Sequence, residues 1–138
     1  MTKHPTLNFE INGGNKLTGE ITVNGSKNGA VVLLCAALLN KKTTTLRNVP
    51  NIEEVKRLVE VLESIDVSVE RSGSTLTITP PETIDLAQLD HEAAIKTRSI
   101  IMFIGPLLGR LQSFKLPQSG GCKLGSRTVR PHFYALEK

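Results

Sequence analysis

Residues 16–39, KLTGEITVNGSKNGAVVLLCAALL, change their apolar period part way along, and that change decides the fold. Up to Val23 apolar and polar residues alternate, as in a half-buried strand, and LNFEI (7–11) does the same on the other side of the turn NGGN (12–15). From Ala30 the spacing becomes helical: Ala30, Leu33, Leu34, Ala37 and Leu38 share a face, in a run apolar enough to be buried on most sides. Ser26 is placed to cap this helix by accepting from a free N–H of its first turn. Lys27 and Asn28 then stand at a strand-to-helix junction.

Working outward, KTTTLRNV (42–49) is β-branched and strand-like, and Pro50 closes it. Asn51 followed by Glu54 predicts an N-cap and an acidic third helical position, ahead of an apolar stripe of Ile52, Val55, Leu58, Val59 and Leu62. VSVER (67–71) and TLTIT (75–79), joined by SGS, predict a hairpin. Residues 16–79 therefore read β-α-β-α-β-β. PPETIDLAQLD (80–90) is a connector with a short strand at its end. A helix follows from about Ala94 to Arg110, kinked at Gly105-Pro106 because proline removes a hydrogen bond. SFKL (113–116) predicts a strand, LPQSGGCKLGSR (116–127) a glycine-rich loop, and HFYALEK (132–138) the opening of another helix. The order of elements starts again after residue 80 and stops, as in an interrupted repeat. The expected organisation is N-terminal strands over 1–24 and an incomplete domain over 25–138, with its first unit ending near 80 and its second cut at 138.

The chain is 39% apolar and 22% charged, a soluble globular composition, and no apolar run approaches the roughly 18 residues of a spanning helix. MTKHPTLNFE lacks the hydrophobic core of a secretory signal, so the expected compartment is the cytoplasm, with Cys35 and Cys122 as free thiols. The net charge of +4 is uneven: from Lys96 onward eight Lys or Arg face one acid, Glu137. Such a field attracts anions, whether small phosphorylated metabolites or nucleic acid.

Several residue groups carry candidate chemistry. In GSKN (25–28) the N–H groups of a helix start favour an anion and Lys27 adds a full charge; a solvated lysine beside a turn is the plainer alternative. Arg98 at a helix start opposes the dipole, which makes sense if it reaches an anion or carboxylate, against an ordinary surface arginine. His91 and His132 have no partners at metal-ligand spacing. Cys122 has Lys115, Lys123, Arg127 and Arg130 near it in sequence, and nearby cations favour the thiolate of a nucleophile or proton donor. The alternative is a small residue tucked under a loop. Cys35, inside LLCAALL, reads as inert packing.

Taken together, GSKNGAVVLLCAALL (25–39), NVPNIEEV (48–55), RSIIMFIGPLLGR (98–110) and GGCKLGSR (120–127) resemble, in order and spacing, the N-terminal third of the enolpyruvyl transferases that act on UDP-N-acetylglucosamine. The resemblance covers nearly the whole chain. It implies an α/β (α+β) fold built from βαβαββ units in an inside-out barrel, of which about one and a half are present. It also implies transfer of the enolpyruvyl group of phosphoenolpyruvate to the 3-hydroxyl of UDP-N-acetylglucosamine, a step of peptidoglycan synthesis, with no cofactor or metal and with the rest of a longer parent chain as partner. Neither nucleic acid nor membrane is an expected partner. By the same resemblance Lys27 binds phosphoenolpyruvate, Asn28 orients the sugar nucleotide, Arg98 contacts the nucleotide and Cys122 is the proton donor. Arg127 lies at the shared pocket, and Thr128, Val129, Arg130 and Pro131 continue the substrate-binding segment.

The chain departs from that family pattern in two places. Gln118 and Ser119 separate Pro117 from the glycines, and Arg130 stands where the family prefers an acid. The shikimate-pathway enolpyruvyl transferases are the neighbouring alternative, disfavoured by SKN (26–28) and by GGC (120–122). A nucleic-acid-binding module would use the basic C-terminal segment, but aromatic residues for base stacking are scarce. A folded remnant without turnover is the third.

Overall fold

A computed structural model describes residues 8–118 and 129–138. It is a mixed α/β structure in which a small antiparallel sheet is covered by helices. Helix α1 (Lys27–Ala36) runs into a single 3-10 turn at Ala37–Leu39, followed by strand β1 (Thr44–Leu46) and helix α2 (Glu53–Ser64). The hairpin β2 (Ser68–Ser72) and β3 (Thr75–Thr79) comes next. The second half holds α3 (His91–Lys96), a 3-10 segment Arg98–Phe103, α4 (Ile104–Leu108) and α5 (Arg130–Leu136).

The strand order is β1-β3-β2, all antiparallel, with Thr45 opposite Thr77 and Glu70 opposite Thr77 on the other edge. The alternation predicted for TLTIT places Leu76 and Ile78 in the core and leaves the threonines toward the other face. Gly73 takes φ +58 at the hairpin turn, a conformation that costs glycine nothing. The core joins Leu34 of α1, Leu38 of the 3-10 turn after it, Val55, Leu58, Val61 and Leu62 of α2, the two β3 residues, and Ile100, Phe103 and Leu107 from the second half. Helix α2 is amphipathic as expected, with Val59 and Ile52 at the margin of the buried stripe.

Several sequence expectations are corrected. No strand forms within residues 8–23; Phe9, Ile11, Leu17, Ile21 and Val23 all project into solvent, Leu17 with 93% of its surface accessible. An alternating segment becomes a strand only when a neighbouring edge accepts its hydrogen bonds and a core accepts its apolar face, and the described residues offer it neither. Helix α1 buries Ala30, Val31, Leu34 and Cys35, but Val32 and Leu33 on its opposite side are exposed, so it is covered on one face rather than on most. Residues 80–90 and 113–116 contain no strand. Asn51 does not cap α2: Ile52 occupies the cap position without a side-chain hydrogen bond. The break in the second helical stretch falls at Thr97, which is extended at φ −121 and ψ 135, and not at Pro106. Pro106 is the third residue of α4 and the helix continues through it to Leu108.

Arg110 ties the halves together. Its guanidinium donates to the carbonyls of Leu38 at 2.8 Å, Pro81 at 2.7 Å and Glu82 at 2.9 Å, meeting the 3-10 turn after α1 and the connector with one planar fork.

Candidate active site

The start of α1 is built by two local devices. Ser26 adopts extended backbone and its Oγ accepts from the Gly29 N–H at 3.1 Å, the cap expected from the sequence. Gly25, just before it, lies so close to the turn ahead of α2 that an added Cβ would overlap the Asn48 carbonyl oxygen. Glycine is therefore needed there for contact rather than for φ. Asn48 itself takes φ 57, the left-handed region that asparagine tolerates better than most residues. These contacts place Lys27 and Asn28 at the mouth of a cleft.

That cleft has a volume of about 730 Å³ and lies between α1, the start of α2 and the segment from Lys96 to Met102. Lys27, Asn28 and Arg98 line it together, along with Arg57 and Lys96. The sequence-predicted cations at residues 27 and 98 thus line one cleft although they stand 71 positions apart in the chain. Lys96 closes α3 and Arg98 opens the 3-10 segment, so the extended residue Thr97 is the hinge that turns both toward this region.

At the centre stands Glu54. Its Oε2 accepts from Lys27 Nζ at 2.7 Å, and its Oε1 accepts from the Ser99 hydroxyl and, at 3.4 Å, from Thr97 Oγ1. Thr97 is buried, and its Oγ1 also accepts from the Ser99 N–H at 3.1 Å, capping the 3-10 turn while donating to Glu54. The Lys27 ammonium, then the Ser99 hydroxyl, hold the Glu54 carboxyl below the ordinary carboxylate range. The Lys27–Glu54 pair is partly solvated, with side chains 54% and 27% accessible. Arg57, one turn on, is engaged by Glu53 at 2.7 Å and Glu60 at 2.8 Å on its own helix.

Glu54 is the residue that sequence reasoning misplaced. Its position near a helix start explained it as a helix-terminal acid, and nothing in NVPNIEEV signals a lysine 27 residues away. Thr97 and Ser99 carried no signal beyond their place beside Arg98. Val129, Arg130 and Pro131 are not among the cleft-lining residues: Val129 precedes α5 and the other two begin it on the surface. The expectations for Cys122, Arg127 and Thr128 fall outside the described residues. Cys35 is buried, and burial pushes its thiol up to about 12.

A core-packed α1 delivering Lys27 and Asn28, facing an arginine-bearing 3-10 turn across one cleft, is an arrangement suited to binding anions. Residues 11–138 match the family model described as EPSP synthase (3-phosphoshikimate 1-carboxyvinyltransferase), and the chain belongs to that family. Among curated relatives, the chain is similar to proteins named UDP-N-acetylglucosamine 1-carboxyvinyltransferase. That of Acinetobacter guillouiae is 39% identical over 129 residues, that of Synechococcus sp. (strain CC9605) 37%, and that of Psychrobacter arcticus 35%. Each alignment covers 94% of this chain and 30% of the relative, so the chain spans about 30% of the length of the curated relatives it matches. No helix among the described residues is long and apolar enough to cross a membrane.

Proposed function

We propose that this chain supplies part of the substrate cleft of an enzyme that transfers the enolpyruvyl group from phosphoenolpyruvate to the 3-hydroxyl of UDP-N-acetylglucosamine, in the cytoplasm, as a step of peptidoglycan precursor synthesis. The observation that carries this reading is the convergence of Lys27, Asn28 and Arg98 on one cleft, in a chain whose relatives bear that enzyme's name. The reaction needs the phosphate and carboxylate of phosphoenolpyruvate gripped by fixed cations while its C3 accepts a proton. Protonation makes C2 electrophilic, the sugar hydroxyl adds there, and C–O cleavage then releases phosphate as C3 gives up a proton. Lys27 is the residue for the phosphoenolpyruvate phosphate. Asn28 and Arg98 serve the sugar nucleotide, and Arg127 with residues 128–131 completes that side. Cys122 is the proton donor at C3, in a glycine-rich segment suited to closing over bound substrates and excluding water.

The barrel of βαβαββ units is part of the same proposal: residues 25–80 are its first unit and residues 81–138 begin a second. The N-terminal segment pairs with strands supplied by the remainder of the parent. The chain by itself is inactive because the rest of the substrate-binding and acid–base groups belong to that remainder. The shikimate-pathway reaction is the competing assignment, since the family model carries its name. Phosphate release discriminates between them. The parent enzyme should release phosphate from phosphoenolpyruvate with UDP-N-acetylglucosamine and not with shikimate 3-phosphate, Lys27→Ala in it should lower the rate by at least ~100-fold, comparable to loss of an oxyanion-stabilising group, and the 138-residue chain should release none. Release driven by shikimate 3-phosphate would overturn the acceptor assignment, and turnover by the chain alone would overturn its incompleteness.

A further inference from the structure

The cleft contains an acid at its centre, which is unexpected for a site built to hold an anion. Formal charge predicts that Glu54 weakens anion binding by neutralising Lys27. The geometry points the other way. We propose that Glu54 is a positioning residue for the anion cleft: acting through Lys27, it holds the ammonium at the cleft wall and ties it to the segment that carries Arg98. This rests on the reading of the cleft as the phosphoenolpyruvate site.

Three observations support it. First, the two carboxylate oxygens are divided between the walls: Oε2 takes Lys27 from α1, and Oε1 takes the hydroxyls of Thr97 and Ser99, the residues on either side of Arg98. One side chain on α2 therefore sets the spacing between the two cation-bearing elements. Second, Lys27 is half exposed on a flexible four-carbon stem, and ordering such a side chain is among the larger rotamer costs. Glu54 orders it before any ligand arrives. Third, an ammonium has three donors and Glu54 occupies one, leaving two to meet a phosphate. The carboxylate's own charge is meanwhile spread over three donors, so repulsion of an incoming anion is reduced.

The two effects have opposite signs, which makes the experiment decisive. The 138-residue chain is treated with a trace of an amine-acetylating reagent, and Lys27 modification is quantified by mass spectrometry against Lys42, with phosphoenolpyruvate as the protecting probe. In Glu54→Gln, which keeps size and loses charge, Lys27 should be acetylated several-fold faster. Half-protection should then require about tenfold more phosphoenolpyruvate, the equilibrium counterpart of re-ordering a lysine side chain. Glu54→Asp should restore part of the protection. Ser99→Ala, which leaves the ion pair and removes one anchor, should shift protection in the same direction by a smaller factor. A merely structural role would speed acetylation of Lys56 on α2 as much as of Lys27. Equal or stronger protection in Glu54→Gln overturns the proposal and leaves the cleft reading standing, whereas absence of protection in the unaltered chain overturns both.

Discussion

One lysine and one cysteine of α1 show how the two ends of a single helix take on opposite chemistry. Cys35 faces the core among leucines; burial penalises its thiolate and pushes the thiol up to about 12. Lys27, at the solvent end of the same helix, lines the cleft and meets Glu54. An alkylating reagent at pH 8 should therefore leave Cys35 unmodified in the folded chain and modify it only after denaturant is added, with Cys122 taking the label first. Peptide mapping that finds Cys35 labelled without denaturant would remove the assignment of Cys35 to packing. Glu54 adds a pH signature at the same scale. Its folded-state value is depressed, so its contribution to stability is present above the ordinary carboxylate range and fades as pH falls through the depressed value.

At the scale of elements, the helices were legible where periodicity and caps agreed. Ser26 and the stripe Val55, Leu58 and Leu62 stand where the 3.6-residue repeat requires. The hairpin was legible because VSVER and TLTIT stand on either side of a glycine turn. Boundaries were not: Asn51 reads as a cap until Glu54 is seen turned toward charge-assisted bonds with Lys27, a stronger offer than a neighbouring N–H. The approach of Gly25 to Asn48 is equally invisible in sequence, because it joins two turns from different parts of the chain. Replacing Gly25 with Ala should force those turns apart and lower stability by about 1–3 kcal/mol, the usual range for overpacking a fixed backbone contact. Thermal unfolding measures it, and an unchanged midpoint would show that the contact is looser than the structure indicates. The same variant should weaken phosphoenolpyruvate protection of Lys27, since Gly25 immediately precedes its cap.

On the whole-molecule scale, the described residues 8–23 lie outside the packed core. Their alternation is that of a strand, yet Leu17, Ile21 and Val23 remain in solvent, as do Val32 and Leu33 on the outer side of α1. Apolar surface left open in this way is available for pairing or packing, and the chain spans about 30% of the length of the curated relatives it matches. Limited proteolysis should cut within residues 8–24 before it reaches α1 or the hairpin, because that backbone makes few internal hydrogen bonds. In the longer enzyme proposed above, the same segment should resist cleavage. Equal protection in the isolated chain would show that the segment finds its pairing within these 138 residues.

By itself the sequence determined the amphipathic helices, the cap at Ser26, the hairpin and the family motifs, all of which depend on residues a few positions apart and on the local periods of helix and strand. Tertiary structure alone decided that Lys27 and Arg98 share a cleft, that Glu54 rather than solvent receives Lys27, and that the N-terminal alternation finds no partner among the described residues. The physical reason is range. Backbone periodicity is local, whereas an ion pair across 27 residues or a strand edge exists only when packing brings distant segments to within a few ångströms.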